Sequence, residues 1–378
     1  MRNKYRVVVC GTRFGEHYLA ALTRQSSEFE LVGILARGSE RSRLLAEKLQ
    51  VTLYQQVDQL PDEIDIACVV IRSRIVGGDG SSLAEQLLQR GIAVLQEHPV
   101  HLSDIRRLQG LARQYGTRYH INTLYPALPA ASCFIDYVRQ SASRQQPTFI
   151  ELTTSLQLLY SSLDIIGRAL GDLSPMICSA PQLPALPDGT PPWPFRQMQG
   201  TFAGVPVCIN LQTTLDPRDP DHHSLVMHRI AIGGTEGHVC LTSSFGPVVW
   251  SHSIYAPDYQ QDGVTASWLL SPECHQQSHY NQQPVGMVLG RSQAPNLIEA
   301  TQHDFPLAIL TALRELVAEP APWWQQPAWW QQHGEAWITL MRNAGAPQLT
   351  RFAAPLKPFP DPRAFAADIV TDNRYVKP

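Results

Sequence analysis

From Tyr5 to about Asn122 the chain alternates short apolar runs with amphipathic stretches, the signature of strand–helix–strand units around a parallel sheet. YRVVVC reads as the first strand, and Glu16 to Arg24 starts the first helix. FELVGILA, SERSRLLAEKL, DIACVVI, SSLAEQLLQRG, IAVLQE, SDIRRLQGLARQYG and RYHIN carry the alternation onward. An α/β domain with a parallel sheet is therefore expected over residues 1–124.

Near Tyr125 the texture changes. LYPALPA brings two prolines, and Ala131 to Ser141 is helix-like. Longer alternating runs follow, FIELTTSLQLL, VPVCINLQTTL, MHRIAIGGTEGHVCLTSSFGPVVW and SHSIYA, which read as antiparallel strands with one solvated face. Residues 125–378 are expected to form a second, α+β domain on an open, mainly antiparallel sheet. PQLPALPDGTPPWPFRQ interrupts that sheet as a Pro-rich loop. PWWQQPAWWQQ duplicates itself at six-residue spacing, too briefly for a repeat architecture, and its tryptophans supply packing area.

A chain of 378 residues, 44% of them hydrophobic, can bury two cores. Thirty basic residues face thirty-three acidic ones with no basic block, which argues against a nucleic-acid partner. The apolar run at the start is too short for a membrane span, so a cytoplasmic protein is expected. The seven cysteines are scattered and form no CxxC pair, as reduced core residues would be. DPDHHSLVMHR is a weak metal pattern, and no metal is expected.

VVVCGTRFGEHYLAAL places Gly11 and Gly15, with Thr12, Arg13 and Phe14 between them, in the first strand-to-helix turn. Backbone N–H groups and the helix dipole favour a pyrophosphate there. A full GxGxxG ending at Gly15 would need glycine where Cys10 and Thr12 stand, so the motif alone is weak. The second strand discriminates further. Where an NAD site carries a carboxylate for the ribose, this chain has Ala36 and Arg37. Arg37, Ser39, Arg41 and Arg13 could hold a 2′-phosphate by charge-assisted hydrogen bonds, so the expected cofactor is NADP(H). Arg72 and Ser73, after the fourth strand, should line the same crevice.

The layout resembles the glucose-fructose oxidoreductase and inositol dehydrogenase (Gfo/Idh/MocA) superfamily. EHP at Glu97–Pro99, the NTLYPALPA junction, and LDIIGRALG followed by IGGTEGHVCL carry the likeness over nearly the whole chain. It implies a Rossmann-like nucleotide domain and a C-terminal open sheet. His98 stands where sugar-handling members have a lysine, and Gln157 and Ser161 where they have an aspartate and a histidine. Asp164 remains. CGTRFGEHYLAAL, VVIRSRIVGG, LQEHPVH, INTLYP, LQLLYSSLD, LDPRDPDHHSLVMHR and EGHVCLTSSFGPVVW together resemble the thiazolinyl imine reductases of siderophore biosynthesis, of the yersiniabactin and pyochelin kind. That resemblance implies NADPH-dependent reduction of a thiazoline C=N to a thiazolidine. The intermediate would be held on a carrier domain of a nonribosomal peptide synthetase.

Such a reduction needs a hydride at carbon and a proton at nitrogen. An imidazole, titrating at about 6.5 in model peptides, suits neutral pH better than an ammonium near 10.4, so His98 is the expected donor. Tyr125 is its rival or partner, and His101 a weaker third. Glu97 is expected to orient the cofactor end of the site or fix the loop. By family analogy Asn122 lies near the nicotinamide amide, and Tyr160, Ser161 and Asp164 face the substrate. His223 and His228 are substrate candidates that, five apart in a strand, would point to opposite faces. By analogy the chain is a homodimer. Two other readings are a different NADP oxidoreductase acting on a free carbonyl or imine, and a non-catalytic NADP-sensing regulator.

Overall fold

The computed structural model describes residues 4–351, apart from 25, 74–75, 182–186, 189–192, 220–223 and 254–283, together with 362–364 and 366. The first strand, β1 (Tyr5–Cys10), leads into α1 (Gly15–Arg24), β2 (Phe29–Leu35), α2 (Glu40–Leu49) and β3 (Thr52–Tyr54). Then come β4 (Ile66–Val69), α3 (Gly80–Gln89), β5 (Ala93–Glu97), α4 (Leu102–Gln114) and β6 (Tyr119–Asn122). The six strands pair in the order β3-β2-β1-β4-β5-β6, all parallel. Val7, Val8, Val9 and Ile66 to Val69 are fully buried because helices cover both faces of the sheet. The strand order reverses between β1 and β4, so a crevice opens outside their carboxyl ends.

Local sequence sets the helix ends. Ser39 caps α2 by accepting from the Ser42 amide, and His101 caps α4 by accepting from the Ser103 amide. His101, the weakest proton-donor candidate, is thus a helix cap.

After β6 a 3₁₀ turn (Tyr125–Ala127) leads into α5 (Pro129–Ala142), β7 (Phe149–Ser155) and α6 (Leu159–Leu170). The remaining strands are β8 (Ile177–Cys178), β9 (Phe195–Phe202), β10 (Val205–Gln212), β11 (Thr214–Leu215), β12 (Arg229–Gly234), β13 (Gly237–Leu241), β14 (Val248–His252), β15 (Gly286–Leu289) and β16 (Gln348–Leu349). Seven of them join β7 in one eight-stranded sheet, β15-β14-β13-β12-β7-β10-β9-β8, antiparallel except for the β7–β10 pair. Along β7 the residues alternate: Ile150 and Leu152 are buried against the helices, while Glu151 is exposed on the other face. The Pro-rich loop lies mostly outside the described residues, and its end, Phe195, already belongs to β9.

Two C-terminal helices, α7 (Phe305–Val317) and α8 (Pro327–Ala344), close the molecule. α7 returns to the first sheet: Phe305, Ala308, Ile309 and Leu313 pack in one cluster with Val7, Val9 and Tyr18. Burial of each such large side chain contributes ~1.5–3 kcal/mol. α8 packs on α6, where Trp329 lies against Gly167, at which a Cβ would fall 1.9 Å from the indole. Of the duplicated tryptophans, Trp329 and Trp330 are therefore core residues.

A charged clasp joins α6 to α7. Arg168 grips Asp164 with Nε at 3.0 Å and a terminal nitrogen at 2.8 Å, and Glu315 lies 4.0 Å from the same guanidinium. Trp324 donates its indole N–H to Glu315 at 3.0 Å. No helix among the described residues is long and apolar enough to cross a membrane.

Candidate active site

The crevice at the strand-order reversal begins at Gly11. Its φ of +97°, and the mere 2.6 Å that would separate a Cβ there from the Val70 carbonyl, leave room for no side chain. Gly15 opens α1, whose N-terminal amides face the same turn. Phe14 and His17 pack edge-on at 4.8 Å and lean on Phe305 of α7. These residues fit a dinucleotide: the backbone comes close at Gly11, and a ten-residue helix starts behind it.

Across the crevice Ala36 ends the β2 run, and no carboxylate stands at that strand end. Arg37 is exposed and pairs with Asp79 at 2.6 Å. Arg41 donates to the Thr12 carbonyl at 3.0 Å and pairs with Glu16. Ser39 is occupied as the cap of α2, and Arg13 is exposed. Arg72 is exposed after β4, while Ser73 is buried and donates to the Pro99 carbonyl, tying the β4 loop to the end of β5.

β5 and β6 deliver the polar centre. His98 follows β5 directly, and its backbone N–H donates to Asn122 of β6 at 3.1 Å. The ring Nδ1 lies 3.1 Å from the Asn122 carbonyl and 3.1 Å from Glu97 Oε1. Both partners accept, so Nδ1 carries the proton and Nε2 is left for a ligand. The imidazole stacks on Tyr160 at 5.8 Å and meets Tyr125 edge-on at 6.3 Å.

Tyr125 is brought there by an unusual turn. Its N–H donates to the Thr123 carbonyl at 2.7 Å across Leu124, whose φ and ψ are 60° and −59°. This is the positive-φ γ-turn, the rare and strained form. Burial, reinforced by the charge of Glu97, pushes the Tyr125 hydroxyl up to about 12, so it keeps its proton. Behind Tyr125, at 4.4 Å, lies the ring of His228, fully buried between two serines, Ser161 and Ser244, at 2.7 Å each. Burial, with His98 adding to it, lowers His228 to about 3.

Residues 5–123 match the family model described as an oxidoreductase family with an NAD-binding Rossmann fold. Residues 145–251 match the one described as thiazolinyl imine reductase Irp3-like, C-terminal. The two matches place a Gfo/Idh/MocA-type Rossmann segment before an Irp3-like C-terminal segment in one chain. Solved structures agree on the fold. KijD10, a 3-ketoreductase from Actinomadura kijaniata, is 15% identical with a TM-score of 0.62, over 92% of this chain and 100% of that one. GnnA, a UDP-N-acetylglucosamine 3-dehydrogenase from Acidithiobacillus ferrooxidans, is 15% identical with a TM-score of 0.61, over 90% and 98%. No curated protein matches the chain significantly.

Within this Gfo/Idh/MocA frame the structure corrects several expectations. Asp164 is fully buried and saturated by Arg168 and Thr123, so it holds helices together and does not face substrate. Ser161 is buried against His228. Tyr160 is buried, with its hydroxyl donating to the Val100 carbonyl at 3.2 Å, so it offers His98 a ring face and no open hydroxyl. Each end of the Asn122 amide has a partner inside the protein, Tyr18 at 2.6 Å and the Leu124 N–H at 2.8 Å, which orients the side chain. His228 precedes β12 with a φ of 40°, so strand alternation does not apply to it. His223 lies outside the described residues.

Sequence reasoning missed Tyr18, whose hydroxyl donates to Glu97 Oε2, and Ser244. A tyrosine on the buried stripe of α1 was the available signal for Tyr18, because its polar tip must find a partner. Nothing in the local sequence marks Ser244.

Proposed function

We propose that the chain is an NADPH-dependent reductase of a thiazoline C=N, acting on an intermediate tethered to a carrier domain of a nonribosomal peptide synthetase. The carrying observation is the edge-on approach, 6.3 Å between ring centroids, of two side chains able to give a proton, His98 and Tyr125, at the carboxyl ends of β5 and β6 in a chain with an Irp3-like match.

Gly11 to Gly15 would hold the pyrophosphate of the cofactor, and the nicotinamide supplies hydride when bound. Arg13, Arg37, Ser39 and Arg41 support the choice of NADP(H): a 2′-phosphate would take the place of the Asp79 and Glu16 carboxylates on these exposed arginines. The remaining task, a proton to nitrogen, falls to the protein. Nδ1 of His98 is fixed as a donor to Asn122 and Glu97, so the ring gives a proton from Nε2 only when it is cationic, with Glu97 as its counter-charge. Tyr125 stays neutral across the physiological range and can donate directly or relay. The solvated face of the eight-stranded sheet, with its polar Glu151 and Arg229, is the surface on which a second copy would pair. A cytoplasmic setting suits the unpaired cysteines among the described residues.

The test follows NADPH oxidation with a synthetic hydroxyphenyl-thiazoline thioester in the wild type, His98→Ala and Tyr125→Phe. Turnover by the wild type with a loss in at least one variant is expected. No oxidation by the wild type overturns the proposal, and unchanged rates in both variants overturn the donor assignment.

A further inference from the structure

We infer that Tyr18 is a positioning residue whose hydroxyl is the common node holding both proton donors, His98 through Glu97 and Tyr125 through Asn122. The inference rests on the reading of His98 and Tyr125 given above.

Tyr18 lies on α1, one turn after Gly15, with its ring fully buried beside Val7, Val9 and Phe305. A phenylalanine would pack there equally well, so the hydroxyl has a purpose of its own. It has one proton to give and lone pairs with which to accept. The proton goes to Glu97 Oε2, and Asn122 Nδ2 donates to it at 2.6 Å. From Glu97 the chain of contacts runs through Oε1 to His98 Nδ1 at 3.1 Å. From Asn122 it runs through Oδ1 to the Leu124 amide at 2.8 Å, inside the γ-turn that presents Tyr125.

The ring of contacts then closes on itself, because the Asn122 carbonyl also accepts from His98 Nδ1. Every orientation in it is determined. Leu124 N–H can only donate, which fixes Asn122 Oδ1 and turns Nδ2 to Tyr18. Glu97 can only accept, which takes the proton of Tyr18. Burial and the neighbouring Glu97 raise the Tyr18 hydroxyl well above its ordinary range, so that proton is always present. Loss of the hydroxyl leaves Glu97 Oε2 and Asn122 Nδ2 without partners. Both side chains are then free to turn, and the imidazole of His98 loses the fixed Glu97 acceptor that, beside the Asn122 carbonyl, selects its Nδ1–H form.

The test compares full-length, ¹⁵N-labelled wild type and Tyr18→Phe by NMR of the imidazole nitrogens at pH 9, with His98 assigned by its absence in His98→Asn. The wild type should show His98 as one Nδ1–H tautomer, and Tyr18→Phe a mixture. In the thioester assay Tyr18→Phe should lower kcat by roughly tenfold with KM for NADPH within about twofold. A folded Tyr18→Phe protein with the wild-type tautomer and kcat overturns the inference. If Tyr18→Phe does not fold, Glu97→Leu removes the acceptor that Tyr18 orients and should give the same mixture, and a single Nδ1–H tautomer there overturns it. Adding Tyr18→Phe to Glu97→Leu should cost little more. A wild type without thiazoline turnover overturns the proposed function alone, because the tautomer measurement still decides on Tyr18.

Discussion

Acid should weaken this protein through histidines that the fold keeps neutral. His120 and His228 are lowered to about 3 and His333 to about 4, in each case chiefly by burial. In the unfolded chain all three titrate near 6.5. Their contribution is therefore complete above pH 6.5 and is lost as pH falls from 6.5 toward 4, where the unfolded chain binds protons that the fold refuses. At pH 5 the deficit is about 2 kcal/mol per histidine, and about 6 kcal/mol for the three. The figure depends little on the folded values once they lie a unit or more below the working pH. Glu315 acts in the opposite sense: burial raises it, so the fold takes up a proton there and offsets part of the loss. Two to three protons should thus be taken up on unfolding at pH 5, a slope of about 3–4 kcal/mol per pH unit. Urea unfolding at half-unit steps from pH 8 to 5 measures that slope directly. His228→Gln should remove one proton from it whatever its own cost in stability. A slope below about 1.4 kcal/mol per unit near pH 5, equivalent to one proton, would refute the reasoning.

Four further outcomes follow from single contacts. Arg168→Met leaves Asp164 as a buried carboxylate without its cation, takes the same partner from half-buried Glu315, and should lower unfolding stability by about 3–5 kcal/mol in urea titrations. Gly11→Ala forces a Cβ to within 2.6 Å of the Val70 carbonyl at a φ of +97°, and calorimetry should show NADP⁺ binding at least about tenfold weaker. Arg37→Glu combined with Arg41→Glu should lower the NADPH-to-NADH ratio of kcat/KM by about tenfold or more, and an unchanged ratio speaks against a 2′-phosphate at these residues. If Tyr125 protonates the substrate, the rate should show no tyrosine ionisation between pH 8 and 10.5, since the hydroxyl is pushed up to about 12, and a fall centred near 10 would contradict that placement.

The parallel sheet was legible because its central strands, β1 and β4, are buried on both faces and so read as unbroken apolar runs, VVVC and IACV. The open sheet was legible for the opposite reason, since one wet face imposes alternation on FIELTTS and VPVCINLQ. His98 and Tyr125 were singled out through the EHP signature and the LYP junction, and the fold brings the two rings within 6.3 Å of each other. Superfamily analogy misled at Asp164, Ser161 and Tyr160, for the pattern of α6 says which residues are polar but not that the whole helix lies inside. Every residue from Leu159 to Ala169 is buried. The return of α7 to the first sheet was not readable either, because the apolar stripe of FPLAILTALRELV fits any core and its partner stands about 290 residues earlier, in α1.

Two of the four non-glycine residues with positive φ among the described residues lie where the site is built. Leu124, a bulky residue, holds a φ of 60°, and His228 one of 40°, conformations that cost ~1–3 kcal/mol each unless the surroundings impose them. The surroundings do impose them: Asn122 and Tyr18 pin the first, and Ser161 and Ser244 the second. The two strained residues flank Tyr125, one preceding it in the chain and the other packed on its ring at 4.4 Å. A tyrosine held from both sides cannot swing away from His98, so the strain sustains the short distance between the two donors. Relaxing either residue while keeping its hydrogen bonds would therefore gain stability and lose activity, which is the relation expected where backbone strain serves the chemistry and not the fold.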